Sequence, residues 1–410
     1  MGTVLKGKRL LICEEALINY KGHFYSWIKA IRKIHLDAGA EVLVAGNVAV
    51  NEAIEKEFQV HKSYTHNNWS GIYDYKQSWR RYASVFLHNY RVYNQTRKLL
   101  KETGPVDCVI LTAVRIHQLL AWQKLCKKSL GKDFQKVVIF ILTSEAIYNE
   151  DYTNFHFKKS SVLMKNVLRS FKDYVDKGQV ILAGDSHITC KEYESLSGVP
   201  FHVFPSPAAG LEAAAKISST GGSKKTPAPT FVILGVSVID KGIDLLQSAI
   251  LKLLAEDPEL DASFIIQWST PTIDYSGNPV PIDPALRSAR QVNLLEKVLD
   301  ENEYREYLQI ADFVVLPYRR VVYFNRLSGV AIEAACAGIP MIVTENTWLS
   351  WAMNEFGAGV TIKDGSAADL ASQITYCIEN REKLKLKAVE RQEVALRYNA
   401  SETYLDAIWS

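Results

Sequence analysis

The segment between residues 304 and 345 carries the strongest fold signal in this sequence, YREYLQIADFVVLPYRRVVYFNRLSGVAIEAACAGIPMIVTE. Phe313 to Leu316 is a short apolar run that ends in a proline, which is typical of a strand buried on both faces. A run of small residues that begins at Ser328 predicts a helix, and Gly338 predicts a left-handed cap at its end. Met341 to Thr344 is the next apolar run. The segment therefore predicts a strand–helix–strand unit, which implies a parallel sheet.

One carboxylate interrupts the small residues of this helix. Glu333 lies among alanines, with no basic residue three or four positions away. Small neighbours allow close packing, and a carboxylate in packed surroundings needs a hydrogen-bond donor. The helix start at Ser328 and Gly329 offers free backbone N–H groups and a positive dipole end, which suit a phosphate. The alternative interpretation is that Glu333 is exposed and that Ser328 is an ordinary N-cap.

Two motifs in this half resemble a known family. Leu-Pro, a polar loop, Ser-Gly and then Glu-Ala-x-x-Ala-Gly-x-Pro resembles the donor-site region of the retaining glycosyltransferases of family 4, in glycosyltransferase group 1. The segment GVSVIDKGIDLLQSAI, from Gly235 to Ile250, is similar to that family's glycine, lysine-glycine, aspartate segment. The clear resemblance covers Phe231 to Ile374. It implies the GT-B fold, an α/β architecture of two Rossmann-like doubly wound domains facing a central cleft.

The resemblance also implies a donor site for a nucleotide-diphosphate sugar. Lys241 and the turn at Ser328 and Gly329 are expected to bind the diphosphate, and Glu333 is expected to accept hydrogen bonds from the ribose. The implied reaction moves a hexose from a UDP- or GDP-sugar to a hydroxyl of a glycan, lipid or small molecule, with retention and without a metal or other cofactor. The predicted donor-binding residues are Gly22, Gly235, Lys241, Arg326, Ser328, Gly329 and Glu333.

Three positions depart from the family pattern. Val236 replaces an arginine, Asn325 replaces a glutamate, and Gln267-Trp268-Ser269 replaces a glycine pair. Asn325 is kept as a predicted catalytic residue because its amide can still bond sugar hydroxyls. The missing positive charge is expected from a loop arginine, one of Arg319, Arg320 and Arg326. The departures leave two alternatives open: a non-catalytic nucleotide-sugar-binding partner subunit with a degenerated site, and another GT-B chemistry such as an epimerase or a phosphorylase.

The amino-terminal half begins with a predicted strand, helix and strand. These are Arg9 to Cys13, an amphipathic helix from His23 to Asp37, and Val42 to Ala45. Ligands of such sheets bind at the carboxyl ends of the strands. Gly22 lies in the first loop, where it lets the backbone approach a ligand closely. The GxGxxG fingerprint is absent, so a dinucleotide is not implied.

Further strands are predicted at Cys108 to Leu111, Val137 to Leu142 and Val180 to Ala183. The loops after the first two hold polar residues that can meet an acceptor hydroxyl. We therefore predict His117 and Glu145 as catalytic residues. An ordinary structural role for His117 at a helix start is the alternative. The predicted acceptor-side residues, for a carbohydrate or lipid-linked acceptor, are His23, Arg115 and Tyr148.

Residues 76–101 predict one long helix with an aromatic set and a basic set. The aromatic residues at helical spacing are Trp79, Tyr82, Phe86, Tyr90 and Tyr93. The basic residues within about a third of the circumference are Lys76, Arg80, Arg91, Arg97, Lys98 and Lys101. One interpretation places the aromatic rings in the core beneath a solvated basic face. The other is peripheral docking to an anionic membrane or acceptor. No nucleic-acid-binding module is visible, so nucleic acid is not predicted.

Length and charge predict two chemically different domains. A chain of 410 residues is too long for one ordinary core. We predict an acceptor-side domain over 1–208, a linker over 209–229, a donor-binding domain over 230–397, and a last helix over 398–410 that packs back on the first domain. Residues 1–207 contain 29 Lys and Arg against 19 Asp and Glu, a net charge of +10, whereas the remainder carries −7.

The remaining composition predicts a cytoplasmic protein, with peripheral contact at the inner face of a membrane as a second possibility. No apolar run of about eighteen residues appears, and Glu14 and Glu15 interrupt the first apolar run, which is unlike a secretory signal. The six cysteines are scattered, mostly in apolar runs. They predict buried reduced thiols, and their spacing predicts no metal site.

Overall fold

The computed structural model describes residues 3–20, 24–67, 69, 74–205 and 228–410. Internal contacts divide the described residues into two units. The N-terminal unit contains the residues up to 205 together with Ser401–Ser410. The C-terminal unit contains residues 228–400.

The N-terminal unit alternates strands and helices. Its strands are β1 Arg9–Cys13, β2 Glu41–Asn47, β3 His61–Tyr64, β4 Val106–Leu111, β5 Phe134–Phe140, β6 Ala146–Tyr148, β7 Phe155–Phe157, β8 Val180–Gly184 and β9 His202–Val203. Its helices are α1 Phe24–Asp37, α2 Glu52–Phe58, α3 Ser78–Thr103, α4 Ile116–Ser129, α5 Ser161–Arg169, α6 Lys172–Asp176 and α7 His187–Ser197.

Seven of these strands form a parallel sheet in the order β3-β2-β1-β4-β5-β8-β9. The chain order reverses between β1 and β4, and ligands of doubly wound sheets bind beyond the strand ends at such a point. Strands β6 and β7 form a separate antiparallel hairpin just after β5. The doubly wound α/β fold predicted from the sequence is confirmed for this unit.

The core of the N-terminal unit lies on both faces of the sheet. Alternate residues of β1 point to opposite faces, because side chains alternate along a strand. Leu11 packs in the cluster that contains Trp122 of α4, whereas Leu10 packs in the other cluster with Ile28 of α1. All four side chains are buried.

Most aromatic side chains of helix α3 lie outside the core, although one of the two interpretations of the sequence places them in it. Tyr93 is buried, but Trp79, Tyr82, Phe86 and Tyr90 are 49–67% exposed. The residues that pack inward are instead smaller or polar: Ser84, Val85, His88, Asn89, Val92, Thr96, Leu99 and Leu100. The interpretation that puts the aromatic rings in the core is therefore wrong for four of the five.

The C-terminal unit has the same alternating pattern. Its strands are β10 Thr230–Ile233, β11 Ser263–Gln267, β12 Thr272–Ile273, β13 Pro279–Val280, β14 Val292–Leu295, β15 Phe313–Leu316, β16 Met341–Thr344 and β17 Gly359–Ile362. Its helices are α8 Ile243–Glu256, α9 Pro284–Ser288, α10 Glu301–Gln309, α11 Arg320–Tyr323, α12 Gly329–Cys336, α13 Trp348–Phe356, α14 Ala367–Glu379 and α15 Arg381–Tyr398.

Six of its strands form a parallel sheet in the order β14-β11-β10-β15-β16-β17. Here the chain order reverses between β10 and β15. The predicted strands Phe313 to Leu316 and Met341 to Thr344 are confirmed and fully buried. Gly338 has φ 67° after α12, as a left-handed cap requires. The short helix α11 inside the polar loop was not predicted.

The last helix, α16 Ser401–Trp409, groups with the N-terminal unit. Tyr404 is buried there, with its ring 5.7 Å from that of Phe204. Lys136 of β5 donates a hydrogen bond to the Ile408 carbonyl at 2.7 Å. Among the described residues, none of the helices has the length and apolar character needed to cross a membrane.

Candidate active site

The chain reversal in the C-terminal sheet brings two loops together. Gly235 follows β10 and has φ 102°, a conformation that L side chains rarely adopt. A Cβ at Gly235 would lie 2.7 Å from Nζ of Lys241. At Gly242, φ is 67° and a Cβ would lie 2.0 Å from the carbonyl oxygen of Pro317, directly after β15. Gly242 is therefore needed for the close approach of the two loops, and Gly235 is needed for its backbone conformation.

The side chain of Lys241 lies in a cationic environment. Burial and, to a smaller extent, the positive charge of Arg326 together lower the pKa of Lys241 to about 8. Its Nζ lies 5.4 Å from the centre of the Tyr318 ring. Throughout the described parts of the chain, no carboxylate forms an ion pair with Lys241 or Arg326. Two adjacent cations without a counter-ion favour binding of an anion.

Gln267 holds the Gly235 loop in place. Its side-chain oxygen accepts a hydrogen bond from the Gly235 N–H at 2.7 Å, and its side-chain nitrogen donates to the Lys297 carbonyl at 3.2 Å. The tripeptide that departs from the family pattern thus has a structural role next to the predicted donor residues. The sequence signal for this role was the position of Gln267 at the end of a buried strand. Val236, the other departure in this loop, is 54% exposed.

Glu333 of α12 is half-buried and hydrogen-bonded. The hydroxyl of Tyr304, on α10, donates to its Oε2. Burial raises the pKa of Glu333, the Tyr304 hydrogen bond and the charge of Arg305 oppose this increase, and the resulting pKa is about 7. The expectation that this carboxylate needs a donor is confirmed, and Tyr304 is the partner that the sequence did not reveal. The interpretation of Glu333 as a simply exposed residue is wrong.

The other predicted donor residues surround the start of α12. Ser328 is the buried N-cap, and its side chain accepts from the Ala331 N–H at 3.4 Å. Gly329 and Arg326 are exposed at this helix start, and Asn325 is half-buried in the loop before it. These positions leave the helix start accessible to an anion.

Two of the three loop arginines have other partners. Arg319 forms a salt bridge with Asp244 of α8, and its backbone N–H donates to the Asp240 carbonyl at 2.8 Å. The Arg320 N–H donates to Asp364 at 3.2 Å, which orders the start of α11. Arg326 is the loop arginine whose charge acts on Lys241.

In the N-terminal unit, two predicted residues act electrostatically on Tyr193 of α7, and a third bonds to the neighbouring Glu192. The charges of Glu145 and Arg115 both act on the pKa of Tyr193, whose hydroxyl donates to the Thr143 carbonyl at 2.8 Å. Tyr148 donates to the buried carboxylate of Glu192, and burial raises the pKa of Tyr148 well above its ordinary value.

Glu145 and Glu192 are both bonded to hydroxyl groups. Ser161 donates to Glu145 at 2.9 Å, and Ser144 donates to Glu192 at 2.5 Å. Glu192 was not predicted, because a glutamate in the middle of a helix gives no sequence signal of burial.

His117 lies beside a buried acid–base pair. Nε2 of His88 is 2.7 Å from Oε2 of Glu15, and the His88 and His117 rings are 6.1 Å apart. Burial, followed by the charges of His88 and Arg115, lowers the pKa of His117 to about 4. His117 is therefore neutral near pH 7 and is a weaker base than an ordinary histidine.

The switch point of the N-terminal sheet holds a second buried carboxyl. Thr112, after β4, donates to Glu14, after β1, and the Ala16 N–H donates to the other carboxyl oxygen at 2.7 Å. Burial raises the pKa of Glu14 to about 8. The two predicted residues of the same loop, Gly22 and His23, lie outside the described residues.

Potential metal ligands do not cluster in the described residues. Over the described ranges, no group of three or more His, Cys, Asp or Glu side chains could hold a metal ion. All six cysteines are buried and free, as predicted.

Comparison with known proteins identifies the C-terminal segment. The sequence from 228 to 380 matches the family described as Glycosyl transferases group 1. Residues 228–380 form a glycosyltransferase group 1 domain. The prediction of a glycosyltransferase is thereby confirmed for this domain. The domain contains the loop after β10, the loop after β15, and α12. The sequence matches none of the curated proteins.

Solved structures resemble the whole chain. Sucrose-phosphate synthase from Thermosynechococcus elongatus is 12% identical, with 97% of both chains covered and a TM-score of 0.61. Anabaena HepE in complex with UDP and glucose is 12% identical, with 98% of both chains covered and a TM-score of 0.59. UDP-GlcNAc 2-epimerase from Neisseria meningitidis, bound to UDP-GlcNAc, is 12% identical, covers 97% of this chain and 98% of its own, and has a TM-score of 0.55. At these identities the likeness concerns the fold, and the GT-B prediction is confirmed.

Proposed function

We propose that this protein is a retaining, metal-independent glycosyltransferase of family 4. It would move a hexose from a UDP- or GDP-sugar to a hydroxyl of a glycan, lipid or small molecule. The observation that carries the proposal is Lys241, a half-buried cation beside Arg326 and without a carboxylate partner among the described residues. A diphosphate supplies the negative charge that this pair lacks.

The donor is expected to bind along the β10 loop and α12. The diphosphate would lie against Lys241, Arg326 and the N–H groups at the start of α12. The absence of a side chain at Gly235 leaves room for a phosphate oxygen to approach the backbone. Glu333 would accept hydrogen bonds from the two ribose hydroxyls, in the orientation that Tyr304 gives its carboxylate.

The same groups explain how the leaving diphosphate is stabilised without a metal. Negative charge accumulates on the diphosphate as the glycosidic bond to the sugar breaks. Preorganised cations and helix N–H groups stabilise such charge most strongly when they are shielded from water. Lys241 is partly shielded, which fits this role.

The acceptor is assigned to the N-terminal unit by its chemistry. The charges of Arg115 and Glu145 act on Tyr193 of α7, and Tyr148 bonds to Glu192 of the same helix. Carboxylates and tyrosine hydroxyls bond neutral hydroxyl groups well, which suits a sugar or another alcohol. The low pKa of His117 favours a hydrogen-bonding role over that of a general base. Buried free cysteines support a reducing compartment such as the cytoplasm.

A second candidate is a nucleotide-sugar-binding partner subunit without catalytic activity. The departures at Val236 and Asn325 favour it, because each removes a charged group that the family places near the donor. Under this alternative Lys241 still binds a nucleotide, but no sugar is transferred.

The first experiment is calorimetric titration of the full chain with UDP, GDP, ADP and dTDP. UDP is the first choice because the solved relatives include complexes with UDP and with UDP-sugars. Selective binding of one nucleotide, lost in Lys241→Ala, supports the donor site. Binding of none of the four would overturn it.

Incubation of the matching nucleotide sugar with candidate acceptors then separates the alternatives. An α-configured product from an α-configured donor supports the retaining transferase. Nucleotide binding without turnover supports the non-catalytic partner subunit. Conversion of the donor to an epimer in the absence of an acceptor would indicate an epimerase.

A further inference from the structure

One side of α3 exposes a stripe of four aromatic rings. Trp79 and Tyr90 are each 67% exposed, Phe86 is 57% exposed and Tyr82 is 49% exposed. Their spacing of three or four residues puts them on one side of the helix. Single exposed apolar residues are ordinary, but a contiguous stripe marks an interaction surface. We call these four residues the aromatic stripe.

The stripe is not needed to attach α3 to its unit. The inward side of the helix, with Val85, His88, Val92 and Leu99, is buried against the rest of the unit. His88 of this side bonds to Glu15. The helix is therefore held by a different set of side chains, and the aromatic stripe is available for a partner.

The charged residues of the helix next to the stripe are basic. Arg80 lies over the Trp79 ring, with its guanidinium carbon 5.4 Å from the ring centre. Lys76 precedes the helix, Arg80 lies in its first turn, and both are exposed. The sequence from 76 to 101 contains no Asp or Glu, and the acidic residue of the helix, Glu102, lies at its far end beside Lys98.

We propose that α3 docks flat on an anionic phospholipid bilayer through the aromatic stripe and its flanking cations. Tryptophan and tyrosine side chains favour the headgroup level of a bilayer. A helix with an aromatic side and a cationic border has the composition of interfacial membrane helices. Its 26 residues extend about 39 Å along the surface. The proposal goes beyond glycosyl transfer and does not depend on it.

Charge favours a lipid surface over a second copy of this chain. Symmetric pairing of two stripes would bring the cationic borders of both copies together. Anionic headgroups instead attract each cation near the surface. An acceptor embedded in or attached to the bilayer would then lie close to the N-terminal unit.

The test is co-sedimentation of the full chain with vesicles of phosphatidylcholine alone or mixed in equal parts with phosphatidylglycerol. Binding is expected with the mixed vesicles only. It should weaken when salt rises from about 0.1 M to about 1 M, because the Debye length falls from about 10 Å to about 3 Å. Arg80→Glu is expected to weaken it roughly thirtyfold, since one attraction is replaced by one repulsion.

Arg81→Glu is the matched control. It makes the same charge change one residue later, but successive helix residues are about 100° apart, so its side chain leaves α3 on roughly the opposite side from Trp79. Equal losses in Arg80→Glu and Arg81→Glu would mean that only net charge matters and would overturn the proposal. No binding of the wild type to mixed vesicles would also overturn it.

The aromatic contribution has its own test. Trp79→Ala with Tyr90→Ala is expected to weaken vesicle binding by at least about tenfold, with circular dichroism and the unfolding midpoint unchanged because both side chains are exposed. If size-exclusion chromatography shows instead a dimer that these substitutions dissociate, and vesicles do not bind, the stripe belongs to a second copy of the chain and the proposal fails.

Discussion

The two units differ in the ionisable side chains that lie beyond their strand ends. In the C-terminal unit, Lys241 and Arg326 lie close together without a carboxylate partner among the described residues. In the N-terminal unit, the corresponding groups are carboxyls, and each already has a donor: Thr112 for Glu14, Ser161 for Glu145, and Tyr148 for Glu192. The first arrangement favours binding of an external anion, whereas the carboxyls of the second have hydrogen-bond donors within the unit.

This local difference is the reverse of the overall charge. The N-terminal half carries +10 and the remainder −7. Much of the excess positive charge lies instead on surface segments such as α3. Net charge therefore describes long-range attraction to partners, whereas the few residues at the sheet switch points decide what each unit binds.

The largest effect is expected from a side chain added at Gly242, where the two loops of the C-terminal unit approach each other closely. Gly242→Ala places a Cβ against the Pro317 carbonyl and in a left-handed conformation. We expect it to lower the free energy of unfolding by at least ~3 kcal/mol. Gly277→Ala is the control, because it has φ 87° but nothing within 4 Å of a Cβ. It should cost only about 1 kcal/mol.

Urea unfolding of both glycine variants gives this comparison directly. Equal midpoints would show that the backbone contact between the two loops is absent in solution. The cationic cluster would then lack the scaffold that we assign to it.

Lys241→Ala should have the next largest effect, on nucleotide affinity. Removing one charged contact to the diphosphate costs ~1.5–3 kcal/mol, which corresponds to more than about tenfold in Kd. Lys252→Ala on α8 is the control, since this exposed lysine pairs with Glu256 far along the helix. Calorimetric affinities that fall equally in both variants would remove the special role of Lys241.

Nucleotide binding should also depend on pH in two opposite ways. Lys241 has a pKa lowered to about 8, so it is charged below that value and neutral above it, and affinity should fall as pH rises through about 8. Glu333 has a pKa raised to about 7, so it is protonated below that value, and affinity should also fall as pH drops through about 7. The optimum is expected between the two.

Two conservative variants test which residue causes the loss of affinity at high pH, called the alkaline limb, and which causes the loss at low pH, called the acidic limb. Lys241→Arg should remove the alkaline limb because arginine stays charged. Glu333→Gln should remove the acidic limb, with lower affinity throughout. If both variants showed the same pH dependence of nucleotide affinity as the wild type, groups other than Lys241 and Glu333 would be responsible for it. The series is measured by calorimetry, since a bound diphosphate keeps Lys241 protonated to higher pH and changes the proton uptake.

The sequence predicted the elements of the C-terminal site better than their partners. Phe313 to Leu316 and Met341 to Thr344 are readable because buried parallel strands are continuous apolar runs. The bond from Tyr304 to Glu333 joins residues 29 positions apart, and that from Gly235 to Gln267 spans 32. Such pairs depend on the order of strands in the sheet, which no local pattern contains.

Helix α3 illustrates a different limit of sequence analysis. Its periodicity gives both an aromatic side and a side with Val85, Val92 and Leu99, and either could pack inward. The aromatic side has the larger apolar area, which favoured it for the core. In the structure the side with Val85, Val92 and Leu99 is buried, and His88 on that side bonds to Glu15.

The smallest effects are expected from substituting two tyrosines, one in each unit, that make equivalent hydrogen bonds. This pair tests the comparison between the units most closely. Tyr304 and Tyr148 each donate to a glutamate, Glu333 and Glu192. Tyr304→Phe should raise the pKa of Glu333, because that hydrogen bond lowers it, and should move the acidic limb of nucleotide binding to higher pH. Tyr148→Phe should leave nucleotide affinity unchanged and lower the free energy of unfolding by about 1 kcal/mol. If both variants changed nucleotide affinity alike, the two units would not have the separate roles that their charges indicate.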